Sequence, residues 1–119
     1  MPDEVLVLAD DLFFSSKIAS TAQLCSVPVR LLKTPRELLQ NADPKRVKLV
    51  IIDLNGRTTE PVRAIQELKG SSAGDAIPVL AFFSHVQTEL AEEARQAGAS
   101  WILPRSAFSA RLAGILTDA

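Results

Sequence analysis

Apolar runs and amphipathic segments alternate along the chain. "EVLVLA" (4–9) predicts a buried strand ended by Asp10 and Asp11. The segment 11–25 then sets Phe14, Ile18, Ala22 and Cys25 near one helical face. "VPVRLL" (27–32) reads as a second strand, with Pro28 marking a sheet edge or a strand start. "TPRELLQ" carries a helix start in full: Thr34 as N-cap, Pro35 at the first helical position, Glu37 closing a capping box. "VKLVIID" (47–53) is the third and most apolar strand, and Glu60 to Lys69 spaces Val62, Ile65 and Leu68 as a helix does. "GSSAGD" (70–75) predicts a loop, "IPVLAFF" (77–83) a fourth strand, and 87–97 an alanine-rich helix stopped by Gly98. "SWIL" (100–103) is a short fifth strand, after which Ser106 can cap a last helix using Phe108, Leu112, Ile115 and Leu116.

Strands that are apolar throughout, rather than alternating, need cover on both sheet faces. Five of them separated by helices predict an α/β fold: a five-stranded parallel, doubly wound sheet with helices on both faces. With 119 residues and no linker, repeat or low-complexity stretch, residues 1–119 are expected to form a single domain. Ligands of such sheets sit at the carboxyl ends of the strands. Asp10, Asp11, Asp53, Ser84, His85 and Arg105 all fall at that edge.

Composition narrows the function classes. The formal net charge is −1 with 23% charged residues, and no Lys/Arg cluster is large enough to neutralise a phosphate backbone. Lys45, Arg46 and Lys48 read as a solvated strand entry, so no nucleic-acid partner is expected. Cys25 is the single cysteine, expected as a buried thiol without disulfide or metal role. An acidic N-terminus and short apolar runs give neither signal peptide nor membrane span, and predict a cytoplasmic location.

Two acids after strand one and one after strand three would repel if those strands are neighbours. A divalent cation with hard oxygen ligands relieves that repulsion, Mg²⁺ best. Asp11 also suits a helix N-cap, and Asp53, following a buried run, needs a partner.

The acid pair in "VLVLADD", the aspartate of "LVIIDLN", "IPVL", and "QAGASWIL" together resemble the receiver domain of two-component response regulators. The resemblance spans essentially the whole chain and implies the flavodoxin-like strand order 2-1-3-4-5. It implies Asp53 as phosphoacceptor, with Asp10, Asp11, Asp53 and the backbone carbonyl of Asn55 as Mg²⁺ ligands. A histidine kinase or phosphotransfer protein would be the donor, and a downstream protein or a second copy of the chain the partner. The implied role is signalling, not catalysis.

The departures are specific. Arg105 stands where receivers carry a lysine, and an arginine fork does not reproduce a lysine's point contact. Phe83 occupies the Ser/Thr switch position, with Ser84 one residue later, and Ile102 the switch aromatic. Arg57 replaces the usual proline after the aspartate. Ser84 and Arg105 remain candidate phosphate contacts, and His85, the only histidine, a candidate loop contact. Ser84 also opens a capping box closed by Gln87. Trp101 reads as packing or an interface anchor.

Two functions follow: a receiver phosphorylated on Asp53 with Mg²⁺, or a phosphorylation-independent pseudo-receiver, for which an Asp53–Arg105 ion pair or a pocket closed to metal is expected. An enzyme or cofactor binder is disfavoured, because no Gly-rich phosphate loop and no nucleophile–base pair are visible.

Overall fold

The computed structural model describes residues 2–84 and 88–118. The chain runs β1 (Glu4–Leu8), α1 (Leu12–Leu24), β2 (Val29–Leu32), α2 (Pro35–Asn41), β3 (Val47–Asp53), α3 (Pro61–Lys69), β4 (Val79–Phe83), α4 (Thr88–Ala97), β5 (Trp101–Pro104), α5 (Arg105–Ala110) and α6 (Leu112–Asp118). All strand pairs are parallel, in the order β2-β1-β3-β4-β5. The five-stranded parallel sheet is the one expected from the apolar runs, and its strand order is the one implied by the family resemblance.

The reason for those runs is visible in the core. Leu6, Leu8, Val50, Ile52, Val79 and Ala81 face α2, α3 and α4, where they meet Leu38, Ile65, Leu68 and Ala94. Their strand neighbours Val5, Val7, Leu49, Ile51, Leu80 and Phe82 face α1, α5 and α6, against Phe14, Ile18, Phe108 and Leu116. On this second face Phe82 stacks on Phe108 at 4.5 Å, and Phe14 tilts against Phe82 at 5.0 Å. Each large apolar side chain so buried contributes about 1.5–3 kcal/mol.

Local signals decide the boundaries. Thr34 Oγ1 accepts the Glu37 amide at 3.1 Å, while the Glu37 carboxylate takes the Lys33 amide at 2.9 Å, one residue before the N-cap amide of the usual box. α4 ends in a Schellman turn: Gly98, at φ +117°, donates to Arg95 O, and Ala99 to Ala94 O.

Four expectations are corrected. The loop 70–75 runs into a 3₁₀ turn at Gly74–Ala76. Ser106 is not a cap: β5 passes through extended Pro104 straight into α5, which starts at Arg105, so Ser106 lies inside the first turn. The last helix is also broken at Arg111 (φ −110°, ψ 9°), whose amide is shared between Ala107 O and Phe108 O. Cys25 is half-buried rather than buried, because α1 stops at Leu24 and Cys25 turns off the apolar stripe as its C-cap.

The short basic stretch holds the fold together. Arg46 pairs with Glu4 at 3.1 Å, and Lys48 Nζ donates to Leu116 O at 2.6 Å, fastening α6 to the central strand β3. Among the described residues no helix is long and apolar enough to cross a membrane.

Candidate functional site

Because β1 and β3 pair side by side, Asp10, Asp11 and Asp53 emerge at one carboxyl edge. β4 lies on the other side of β3, with Asp53 in register with Phe82, and β5 follows, bringing Ser84 and Arg105 to the same edge. Topology thus assembles the described members of the sequence-predicted cluster. What each member does there is more specific.

Asp11 is the N-cap of α1. Its Oδ1 accepts the Phe14 amide at 3.1 Å, and its Oδ2 accepts from Arg105 Nη2 at 3.1 Å. The Phe14 amide, and after it Arg105, hold the Asp11 carboxyl below its ordinary value against the opposing effect of burial. The Arg105 guanidinium also lies over the Phe14 ring, 4.0 Å from its centroid. The expected Asp53–Arg105 ion pair is therefore corrected: Arg105 pairs with Asp11, because stacking on Phe14 aims its fork at the start of α1.

Asp10 serves the loop after β3. Its Oδ2 accepts from the Arg57 amide (2.8 Å), the Thr58 amide (3.0 Å) and the Thr58 hydroxyl (3.1 Å). The Thr58 amide leads in lowering the Asp10 pKa. The same loop turns tightly at Gly56, where any side chain would collide with Thr59 Oγ1. That hydroxyl is fully buried, with no hydrogen-bond partner among the described residues.

Asp53 is 7% exposed, and its Oδ1 accepts the Asn55 amide at 2.9 Å. Burial raises its pKa above the ordinary carboxylate value. The Asn55 amide and Arg105 pull the other way, and the charges of Asp10 and Asp11 add to the rise.

Asn55 also has a role the sequence did not signal. Its Oδ1 accepts both the Ser84 amide (2.6 Å) and the Ser84 hydroxyl (3.1 Å), joining the loops after β3 and β4. Phe83 and Ile102 are half-buried and pack into the α2–α4 layer. His85 and Gln87, with the proposed Ser84–Gln87 capping box, lie outside the described residues.

A divalent cation at this edge would need carboxylate oxygens that converge. Both Asp11 oxygens are engaged by protein donors, and one Asp10 oxygen binds three of them. Among the described residues no group of three or more His, Cys, Asp or Glu side chains is placed to hold a metal ion. In this arrangement Asp11 and one oxygen of Asp10 already serve protein donors at the positions an ion would take. They act instead as acceptors that fasten α1, α5 and the β3 loop to the sheet edge.

No protein-family model and no curated protein matches the sequence. Solved structures do match. Vibrio cholerae chemotaxis protein CheY4, crystallised at low pH, superposes with a TM-score of 0.83 at 20% identity, over 99% of this chain and 98% of that one. A putative response regulator from Chloroflexus aurantiacus gives 0.82 at 15% identity, over 99% and 97%. The phosphorylated cyanobacterial phytochrome response regulator RcpA gives 0.78 at 17%, over 99% and 91%. The chain has the fold of response-regulator receiver domains from end to end.

Proposed function

We propose that residues 1–119 act as one cytoplasmic signalling domain of receiver type that works by protein contact, without phosphoryl transfer and without catalysis of its own. The observation that supports this reading most is the Arg105 guanidinium, held by Asp11 Oδ2 and the Phe14 ring. The side chain at the receiver lysine position is thereby committed inside the fold, together with one of the acids a metal would need. Phe83 and Ile102, at the two switch positions, add apolar packing in place of a hydroxyl and an aromatic ring.

The second reading is phosphorylation of Asp53 by a histidine kinase or phosphotransfer protein with Mg²⁺. In its favour, Asp53 ends β3 at the carboxyl edge, with Asn55 two residues on. The fold is also shared with a phosphorylated protein, RcpA. Under this reading Asp10, Asp11, Asp53 and the Asn55 carbonyl would hold the ion once rearranged, and the ion would neutralise charge around the acceptor.

Intact-mass measurement after prolonged exposure to acetyl phosphate and Mg²⁺ decides between them. The contact reading expects unmodified protein, with mass and melting temperature unchanged by Mg²⁺. One added phosphoryl group, absent from Asp53→Asn, would overturn it.

A further inference from the structure

The loop after β3 contains the one Asn-Gly step of the chain, Asn55–Gly56. Packing fixes the glycine, because a Cβ at 56 would collide with Thr59 Oγ1. Its amide nitrogen therefore follows an asparagine with no side chain to shield it, and both residues are only half-buried. That amide closes the turn by donating to Asp53 O at 3.2 Å, the long end of the range for such a bond. An amide nitrogen next to an asparagine can attack the side-chain carbonyl carbon and close a five-membered ring, and a bare glycine hinders that approach least.

The end of β4 supplies what the attack needs. Asn55 Oδ1 accepts from the Ser84 amide at 2.6 Å and from the Ser84 hydroxyl at 3.1 Å. The amide only donates, so it fixes which end of the carboxamide is oxygen. Negative charge develops on that oxygen when Cγ is attacked, and two donors already face it, as in an oxyanion hole. The nitrogen that must leave, Nδ2, makes no hydrogen bond among the described residues. Asn41, the other asparagine of the chain, has opposite surroundings. Its Nδ2 donates to Glu37 O at 2.8 Å within α2, and an alanine follows it.

We propose that Asn55–Gly56 is a self-modification site, converted with water as the only co-reactant into aspartate and isoaspartate. The Gly56 amide gives its proton to solvent, and its nitrogen bonds to Asn55 Cγ while the carbonyl electron pair moves onto Oδ1. That pair returns, the Cγ–Nδ2 bond breaks, and Nδ2 leaves as ammonia with a proton from solvent. Water then opens the succinimide ring. Opening at Cγ gives aspartate, whose carboxylate offers oxygens to both Ser84 donors and adds a negative charge near Asp53. Opening at the backbone carbonyl gives isoaspartate, which inserts one more main-chain carbon ahead of the Arg57 and Thr58 amides that hold Asp10. The sheet edge thus changes irreversibly with time and needs no partner protein to do so.

Ageing the 119-residue chain at neutral pH and body temperature, without phosphoryl donor, tests this apart from either reading of Asp53. Trypsin releases residues 37–45 and 49–57, with one asparagine in each, and an unaged sample carried through the same digestion sets the baseline. Peptide 49–57 is expected to gain, progressively, the mass difference between an amide and a carboxylic acid. It should split into two isomers, one of them a substrate for isoaspartyl methyltransferase, while peptide 37–45 stays unchanged. Ser84→Ala slows the gain by roughly tenfold, the loss of one oxyanion donor. Ser84→Thr, which keeps the hydroxyl, retains the wild-type rate. No gain at Asn55 in the folded chain would overturn the proposal, as would an equal gain at Asn41. A Ser84→Ala variant that reacts as fast as wild type, or faster, would overturn it too.

Discussion

Replacing Arg105 with alanine removes two contacts at once, and their sizes follow from the geometry. The pair with Asp11 is 3.1 Å long, but both side chains keep about a third of their surface in water (33% and 37%). Solvent screening holds such a pair to about 0.5 kcal/mol. The guanidinium 4.0 Å from the Phe14 centroid adds about 0.5–1 kcal/mol. Together Arg105→Ala costs about 1–1.5 kcal/mol, which for 119 residues lowers the melting temperature by roughly 4–6 °C. A double-mutant cycle with Asp11→Asn isolates the ionic part, because asparagine keeps an oxygen for the Phe14 amide. Coupling of about 0.5 kcal/mol is expected at pH 7. The Asp11 pKa is lowered in the fold, first by the Phe14 amide, so this stability is present above pH 3.8 and lost as pH falls through the folded value below it. Urea denaturation of the four proteins at pH 7 and pH 2 measures both. Zero coupling at neutral pH, or full coupling at pH 2, would refute the assignment of Arg105 to Asp11.

Asp53→Asn tests the opposite sign. Burial raises the Asp53 pKa, so the folded state holds the proton more tightly than the unfolded chain, and ionisation costs stability as pH rises from 3.8 through the folded value. Asparagine keeps an acceptor for the Asn55 amide without that charge. The variant is expected to be more stable than wild type by about 1 kcal/mol at pH 7, and equal to it near pH 3. A variant less stable at pH 7 would contradict the account. Asn55→Ala breaks both bonds to Ser84 and is expected to cost about 1 kcal/mol. It should also speed hydrogen exchange of the Ser84 amide at least tenfold, whereas unchanged exchange would mean that the two loops are not joined there.

The fold was legible because burial on both sheet faces writes itself into sequence as unbroken apolar runs, and because Thr34, Pro35 and Gly98 carry chemistry that only helix ends need. That Asp10, Asp11, Asp53, Ser84 and Arg105 reach one sheet edge was legible too, since strand ends and a parallel topology place them there. Their bonding was not. The donors that engage Asp10 are the amides of residues 57 and 58, and an amide looks the same in every residue. Arg105 could be counted to the loop after β5, but its choice of Asp11 over Asp53 depends on a rotamer fixed by Phe14, ninety-one positions away. The Asn55–Ser84 bond is a side-chain contact between two loops and leaves no periodic trace. The break at Arg111 escaped because the apolar spacing of Phe108, Leu112, Ile115 and Leu116 continues across it.

The way Asp10 is held shapes how this edge can change by mutation. Two of its three bonds come from backbone amides, so side chains at 57 and 58 can be exchanged for any residue but proline with those two bonds intact. Side-chain changes at 57 and 58 therefore leave Asp10 its two amide anchors and remove at most the Thr58 hydroxyl bond. To free that carboxylate for other use, a descendant would need proline at 57 or 58, which removes the donating amide, or a loop of another length.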